Sequence, residues 1–385
     1  MEHIVIIGAG VMGCACGLRL LEAGFQVTLL ERALPGAESS AAAAGILGAQ
    51  SEVSGGGAFQ ELCLASRGLF REYARELEEL TGISVGYEDS GVLEVALDPA
   101  EGRMTAGRAE WMTERGLEVE VLDRESARKL EPALSPDILG ANFYPDDHQV
   151  DPVALSRALA AGVAKLGGIF KTGVRVRGIL SQGDRVVGVE TDEGPMAAER
   201  VVVAGGAWSS GLTGLPPLRT VVKPMSGQII QVETRPPLFR HVVYGFNGYI
   251  VPRADGRVLM GSTLEDRGYD KAVTTEGLAR VSQMALDLVP GLKNARLVDT
   301  WAGLRPATGD GEPILGEGPY QGLYFATGHF RNGILLTPIT AQVICNLALG
   351  KAAGPNISNF SPVTVSNSGR SRPASRKWNQ RKRKG

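Results

Sequence analysis

Three glycines stand at Gly8-Ala9-Gly10-Val11-Met12-Gly13, after the strand-like run His-Ile-Val-Ile-Ile and before a helical pattern. Glycines so spaced, on a turn from strand to helix, can seat a dinucleotide. Gly8 allows a tight turn, Gly10 lets a pyrophosphate approach the backbone, and Gly13 lets the helix pack closely on the strand. The amide groups and positive dipole of the helix N-terminus then face the phosphates. Glu31 ends the next apolar run and can accept hydrogen bonds from the ribose hydroxyls of an adenosine. An acid there repels a 2′-phosphate, which argues against NADP. A glycine-rich turn without a ligand is the bland alternative, and the motif alone does not separate NAD from FAD.

Three further segments carry candidate chemistry. In Ser39-Ser40-Ala41-Ala42-Ala43-Ala44-Gly45-Ile46-Leu47, small side chains could let backbone lie against a flat ring, although an ordinary flexible loop reads the same way. Trp301-Ala302-Gly303-Leu304-Arg305-Pro306 places an arginine in an apolar run. A buried guanidinium needs a partner, either an internal acid or the carboxylate of a substrate held bidentate. Gly328-His329-Phe330-Arg331-Asn332-Gly333-Ile334-Leu335-Leu336-Thr337-Pro338 leads from a strand into a helix. It offers a glycine-rich backbone, a cation and a second helix N-terminus able to stabilise negative charge on a ligand. A plain connection with a solvated Arg331 is the alternative.

Taken with Gly248-Tyr249-Ile250-Val251-Pro252-Arg253, these segments resemble the D-amino acid oxidase family of FAD-dependent amine oxidoreductases, above all its glycine oxidase-like members. The resemblance covers about residues 1–350. It implies FAD as cofactor, contacted by Gly8, Gly10, Val11, Met12, Gly13, Glu31, Arg32, Ser39, Ser40, Ala44, Gly45, Ile46 and Val174. His329, Phe330, Arg331, Asn332, Gly333, Ile334 and Leu335 would hold the isoalloxazine. Arg305 would pair with the substrate carboxylate, Tyr249 would donate to it or close the pocket, and Arg331 would line the site. Asn247 stands where relatives carry a histidine beside the pocket, and Leu264 where methionine is expected, so substrate preference is open. No cysteine lies between Gly328 and Pro338, where sarcosine oxidases attach their flavin, so the FAD is expected to be non-covalent.

The implied reaction is oxidative deamination of glycine, with sarcosine or small D-amino acids as other candidate substrates, to a 2-oxo acid, ammonia and hydrogen peroxide. By resemblance it would serve thiamine thiazole synthesis in a homotetramer. A D-amino acid dehydrogenase of the same fold that reduces a quinone, and a non-catalytic FAD-binding scaffold, are the alternatives.

The elements that must position these residues alternate as strand and helix at the start, again near 150–210 and again near 320–350. An antiparallel stretch is interleaved. The expectation is an α/β fold: a Rossmann-like FAD-binding domain of the glutathione-reductase type (1–85, 150–215, 305–365) with an inserted antiparallel-sheet substrate domain (86–149, 216–304). Helices are expected over Val11–Ala23, Phe59–Leu80, Asp151–Leu166, Thr275–Leu288 and Pro338–Leu349, the last with Thr337 as N-cap. Strands are expected at Gln26–Glu31, Ile169–Val176, Ile179–Val189, Arg200–Ala204 and Leu323–Ala326, and residues 36–57 as a loop.

Composition narrows the classes. Hydrophobic residues at 43% and charged residues at 21% belong to an ordinary globular chain. No apolar run is long enough to span a bilayer and no signal-peptide pattern opens the chain, so a cytoplasmic location is expected. Four cysteines in helical patterns and four histidines give neither a disulfide framework nor a metal-ligand spacing. Residues 366–385 hold 8 of the 40 basic residues and no acid, leaving 32 against 42 acids, so the body is near −10. That tail is expected to be solvated, with weak nucleic-acid contact as the alternative.

Overall fold

A computed structural model of the protein describes residues 2–53 and 55–363; the basic tail lies outside the described residues. β1 (His3–Ile7), α1 (Val11–Glu22) and β2 (Gln26–Glu31) form a parallel βαβ unit, with Ile4 to Ile7 opposite Val27 to Leu30. An aliphatic strand of this kind must be covered on both faces, and Ile4, Val5 and Ile6 are fully buried. Gly24 ends α1 at φ 89°, with the Phe25 N–H donating to the Leu20 carbonyl at 3.0 Å.

β1 and β2 sit within a six-stranded sheet. Its order is Ile314–Glu317, Leu323–Thr327, Arg200–Val203, β1, β2 and Ile169–Thr172, parallel except at the Ile314–Glu317 edge. Helices Ala58–Thr81, Pro152–Lys165 and Thr337–Ala348 pack with α1 over one face, around Ile4, Leu18, Phe70, Leu159 and Ile344. An eight-stranded sheet runs in the order Arg296–Ala307, Lys223–Glu233, Arg257–Gly261, Gly248–Pro252, Val242–Gly245, Val92–Ala96, Gly140–Tyr144, Glu120–Asp123. Every neighbour in it is antiparallel except Val242–Gly245 against Val92–Ala96. Helix Thr275–Leu288 covers it, burying Met284 and Leu288 against Leu93 and Ile250. The two largest sheets, one mainly parallel and one mainly antiparallel, together with the helices give the α/β class expected.

Several expectations are corrected. The strand expected over Ile179–Val189 is a hairpin, Val176–Gln182 and Arg185–Thr191, turning at Gly183 with φ 63°. The strand before it stops at Thr172. Residues 36–57 contain a short helix, Ser39–Ala42, and a strand, Ile46–Leu47. Helix Pro99–Thr113 was not anticipated. Thr337 is the first helical residue rather than the cap, which is Leu336, and its hydroxyl donates back to the Gly333 carbonyl at 2.9 Å. The domain boundary expected at 304/305 falls inside strand Arg296–Ala307, so Arg305 stands in the eight-stranded sheet.

Candidate active site

One cavity of about 410 Å³ opens where the two sheets meet. On the side of the parallel sheet it is lined by Gly8, Gly10, Val11, Met12, Glu31, Arg32 and Val174. Gly8 adopts φ 97°, a left-handed conformation that glycine takes without strain. A Cβ on Gly13 would collide with the Gly8 carbonyl oxygen, so the helix can sit this close to the strand only with glycine there. The Val11 N–H at the start of α1 donates to Ser40 Oγ at 3.0 Å. The small-residue run is therefore laid across the helix N-terminus. The Glu31 carboxylate accepts the Ala9 N–H and the Ala33 N–H, each at 2.9 Å, which fixes it beside the glycine turn.

Ser39, Ala44, Gly45 and Ile46 line the next stretch of wall. Ser39 donates to the Leu304 carbonyl, and Trp301 Nε1 donates to the Ala42 carbonyl at 3.2 Å. These bonds tie the run to the strand that carries Arg305.

His329, Phe330, Arg331, Gly333 and Ile334 line the opposite wall. Phe330 holds φ 46°, an uncommon left-handed value for a residue with a side chain, and its N–H donates to the Pro306 carbonyl at 3.0 Å. His329 is buried, pairs with Thr340 Oγ1 at 3.0 Å, and is pushed down to about 3 by burial, so it is neutral.

Tyr249, Arg305 and Arg331 line the same cavity, and the two arginines differ in their partners. Arg331 Nη2 is 3.3 Å from Glu52 Oε1 and also donates to the Tyr244 hydroxyl. Arg305 donates only to neutral oxygens among the described residues: the Thr263 carbonyl at 3.4 Å and the Ser262 hydroxyl. Its guanidinium lies over Gly227, where a Cβ would strike it.

Some expected residues lie elsewhere. Gly13 and Leu335 pack behind the cavity, and the Leu335 carbonyl accepts the Ser66 hydroxyl at 2.6 Å. Asn332 is buried, with Oδ1 unpaired among the described residues. Asn247 is exposed on the turn joining Val242–Gly245 to Gly248–Pro252 and does not line the cavity. The cavity has further lining residues that no motif in the sequence marks. Trp208 and Tyr269 stack at 5.5 Å, with Arg32 over the Trp208 ring at 3.6 Å. Glu52 is another. Burial raises its carboxyl pKa even though Arg331 and Arg305 act against the rise.

A model of the family described as FAD dependent oxidoreductase, DAO, matches residues 3–347. The chain belongs to this family. The glycine turn, where Gly8 and Gly10 leave room beside the α1 N-terminus, and the long cavity that Glu31 also lines fit a dinucleotide such as FAD. A glycine oxidase from Geobacillus kaustophilus is 36% identical over 361 residues, which cover 93% of this chain and 96% of that protein. The solved structure of glycine oxidase from that organism superposes with a TM-score of 0.90 at 35% identity, covering 95% of this chain and all of the other. A bifunctional protein ThiO/ThiG from Nostoc sp. is 38% identical over 370 residues and 93% of this chain. The chain spans about half, 54%, of the length of that relative.

Proposed function

We propose that this DAO-family chain oxidises the α-amine of glycine or a similarly small amino acid. Bound FAD would supply hydride acceptance at the substrate α-carbon, with oxygen as the final electron acceptor. The rest is positioning by this chain's residues. Arg305 would take the substrate carboxylate in a bidentate pair, the anion that its neutral partners do not provide. Tyr249 would donate its hydroxyl to the same carboxylate. With that group clamped, the α-carbon has one place to be, and the gain is that of an oriented, effectively unimolecular step. The imine product would hydrolyse to a 2-oxo acid and ammonia, with hydrogen peroxide as the product of oxygen.

The observation that carries this reading is Arg305, a cation without an acidic partner among the described residues, in the cavity that also holds the dinucleotide turn. The relative named glycine oxidase supports glycine as substrate. By the family resemblance, the glycine imine would serve in building the thiazole of thiamine, and the relative named bifunctional protein ThiO/ThiG is one this reading would have to account for. FAD would be held without a covalent bond, since none of the four cysteines lines the cavity.

The test is the absorbance of the purified protein during anaerobic addition of glycine. The expected outcome is a flavin spectrum that bleaches and returns with peroxide when air is admitted. A flavin left untouched by glycine, sarcosine and small D-amino acids would overturn the proposal.

A further inference from the structure

We propose that Glu52 meets the substrate nitrogen, so that the site selects amino acids over other small carboxylic acids. This rests on the reading of Arg305 as the carboxylate partner. An amino acid clamped there still carries an ammonium that needs an acceptor once water is gone. Three acids line the cavity: Glu31, Glu38 and Glu52. Glu31 is fixed by the Ala9 and Ala33 amides at the glycine turn, and Glu38 is paired with Arg32 at 2.6 Å and Lys271 at 3.1 Å. Glu52 lines the cavity together with Arg305 and Arg331, and both cations oppose the rise that burial gives its carboxyl pKa.

Its geometry suits the role. The Arg331 guanidinium at 3.3 Å and the Tyr244 hydroxyl at 3.5 Å both donate to Oε1, and Oε2 accepts no hydrogen bond among the described residues. The turn before Glu52 is held rigidly. Asp147 accepts the Gln50 and Ser51 amides, the latter at 2.7 Å, and Arg108 donates to the Ser51 carbonyl at 3.0 Å. The glutamate side chain is only 6% exposed; burial raises its pKa and Arg331 acts against the rise, and a substrate ammonium beside Oε2 would act the same way with little screening by water. Arg305 and Glu52 together would then present opposite charges to the two ends of a zwitterion, whereas a plain carboxylic acid would meet the acid with nothing to offer it.

The experiment compares wild-type holoenzyme with Glu52→Gln, reading KM for glycine and the competitive inhibition constant of acetate, which is glycine without its amine. The amide side chain keeps the shape and loses the charge. The expected result is a KM for glycine higher by about tenfold or more, with acetate inhibiting as well as before or better, because a negative charge has left the site. If the two constants weaken by the same factor, Glu52 merely props Arg331 and the proposal is overturned. If neither moves, it is overturned as well. Should Glu52→Gln fail to hold FAD, Glu52→Asp keeps the charge on a shorter arm and is expected to raise the glycine KM alone; a parallel rise for acetate counts against the proposal. A wild-type holoenzyme that turns over no amino acid would sink the oxidase reading itself, and that result is distinct from the others.

Discussion

Arg305 and Arg331 illustrate how little a residue type says without its neighbours. Both stand as cations in apolar or glycine-rich runs, yet among the described residues only Arg331 has an internal acid, Glu52, 279 residues away in the chain. That separation is why Glu52 itself was illegible: it sits in a glycine- and serine-rich stretch that reads as loop, and its partners come from distant strands. The arginine left with neutral partners is the one to mutate. If Arg305 holds the substrate carboxylate as proposed, Arg305→Ala would remove a charge-assisted pair of about 3 kcal/mol and is expected to raise KM for glycine roughly 10²-fold, while the flavin spectrum is retained. An Arg305→Ala enzyme with unchanged KM would show that the carboxylate binds elsewhere. The glycines were legible for the opposite reason. The contact that forbids a side chain on Gly13 is made to Gly8, so the whole constraint fits inside one turn.

Among the elements, caps decided what could be read. Asp151 and Pro152 announce helix Pro152–Lys165, and the Asp151 carboxylate accepts the Val153 and Ala154 amides at 2.9 and 3.1 Å. The same pair, Asp98 and Pro99, starts helix Pro99–Thr113, but that helix buries only Thr105, Ala109 and Met112 and so shows no apolar stripe to read. Thr337 misled because the chain from Asn332 is already turning, with the Leu336 N–H bonded to the Asn332 carbonyl at 2.9 Å, so no cap was needed there. Asp151 allows a test with a pH sign. Burial works against its charge, but the Ala154 amide and Arg257 at 2.9 Å hold its pKa below the usual carboxylate range. A carboxyl depressed in the folded state stabilises above its unfolded pKa of about 3.9 and loses that contribution as pH falls through the folded value. Arg257 is more than a third exposed, so most of the effect belongs to the cap. Asp151→Ala is expected to cost about 1–2 kcal/mol near pH 7. Asp151→Asn, which keeps the capping oxygen, should cost less, and its deficit should close below about pH 4. Denaturant melts at the two pH values check this; a deficit independent of pH would assign the loss to packing instead.

At the scale of the whole molecule, the two sheets must be held at one distance for the cavity to fit FAD, and a buried cation helps to do it. Arg253 follows strand Gly248–Pro252 of the eight-stranded sheet and is 5% exposed. It donates to the Ala44 carbonyl at 2.6 Å and to Gln149 Oε1 at 2.7 Å, so it grips the small-residue wall of the cavity from the far sheet. The arrangement is costly: Nε has no partner among the described residues, and burial pushes the guanidinium pKa down to about 10. A merely structural tie and a tie that shapes the cofactor wall make different predictions for Arg253→Met. Either way two acceptors lose their donor, and melting should show a loss of about 2–3 kcal/mol. FAD stabilises the folded protein through its affinity, by about 2.7 kcal/mol when free FAD stands at 100 times Kd. If Arg253 sets the position of Ala44 and Gly45, the variant binds FAD more weakly, and the rise of Tm with added FAD becomes shallower than in the wild type. If the tie serves only to join the sheets, Tm falls equally at every FAD concentration and the two curves run parallel, because the cofactor then finds the same wall in both proteins.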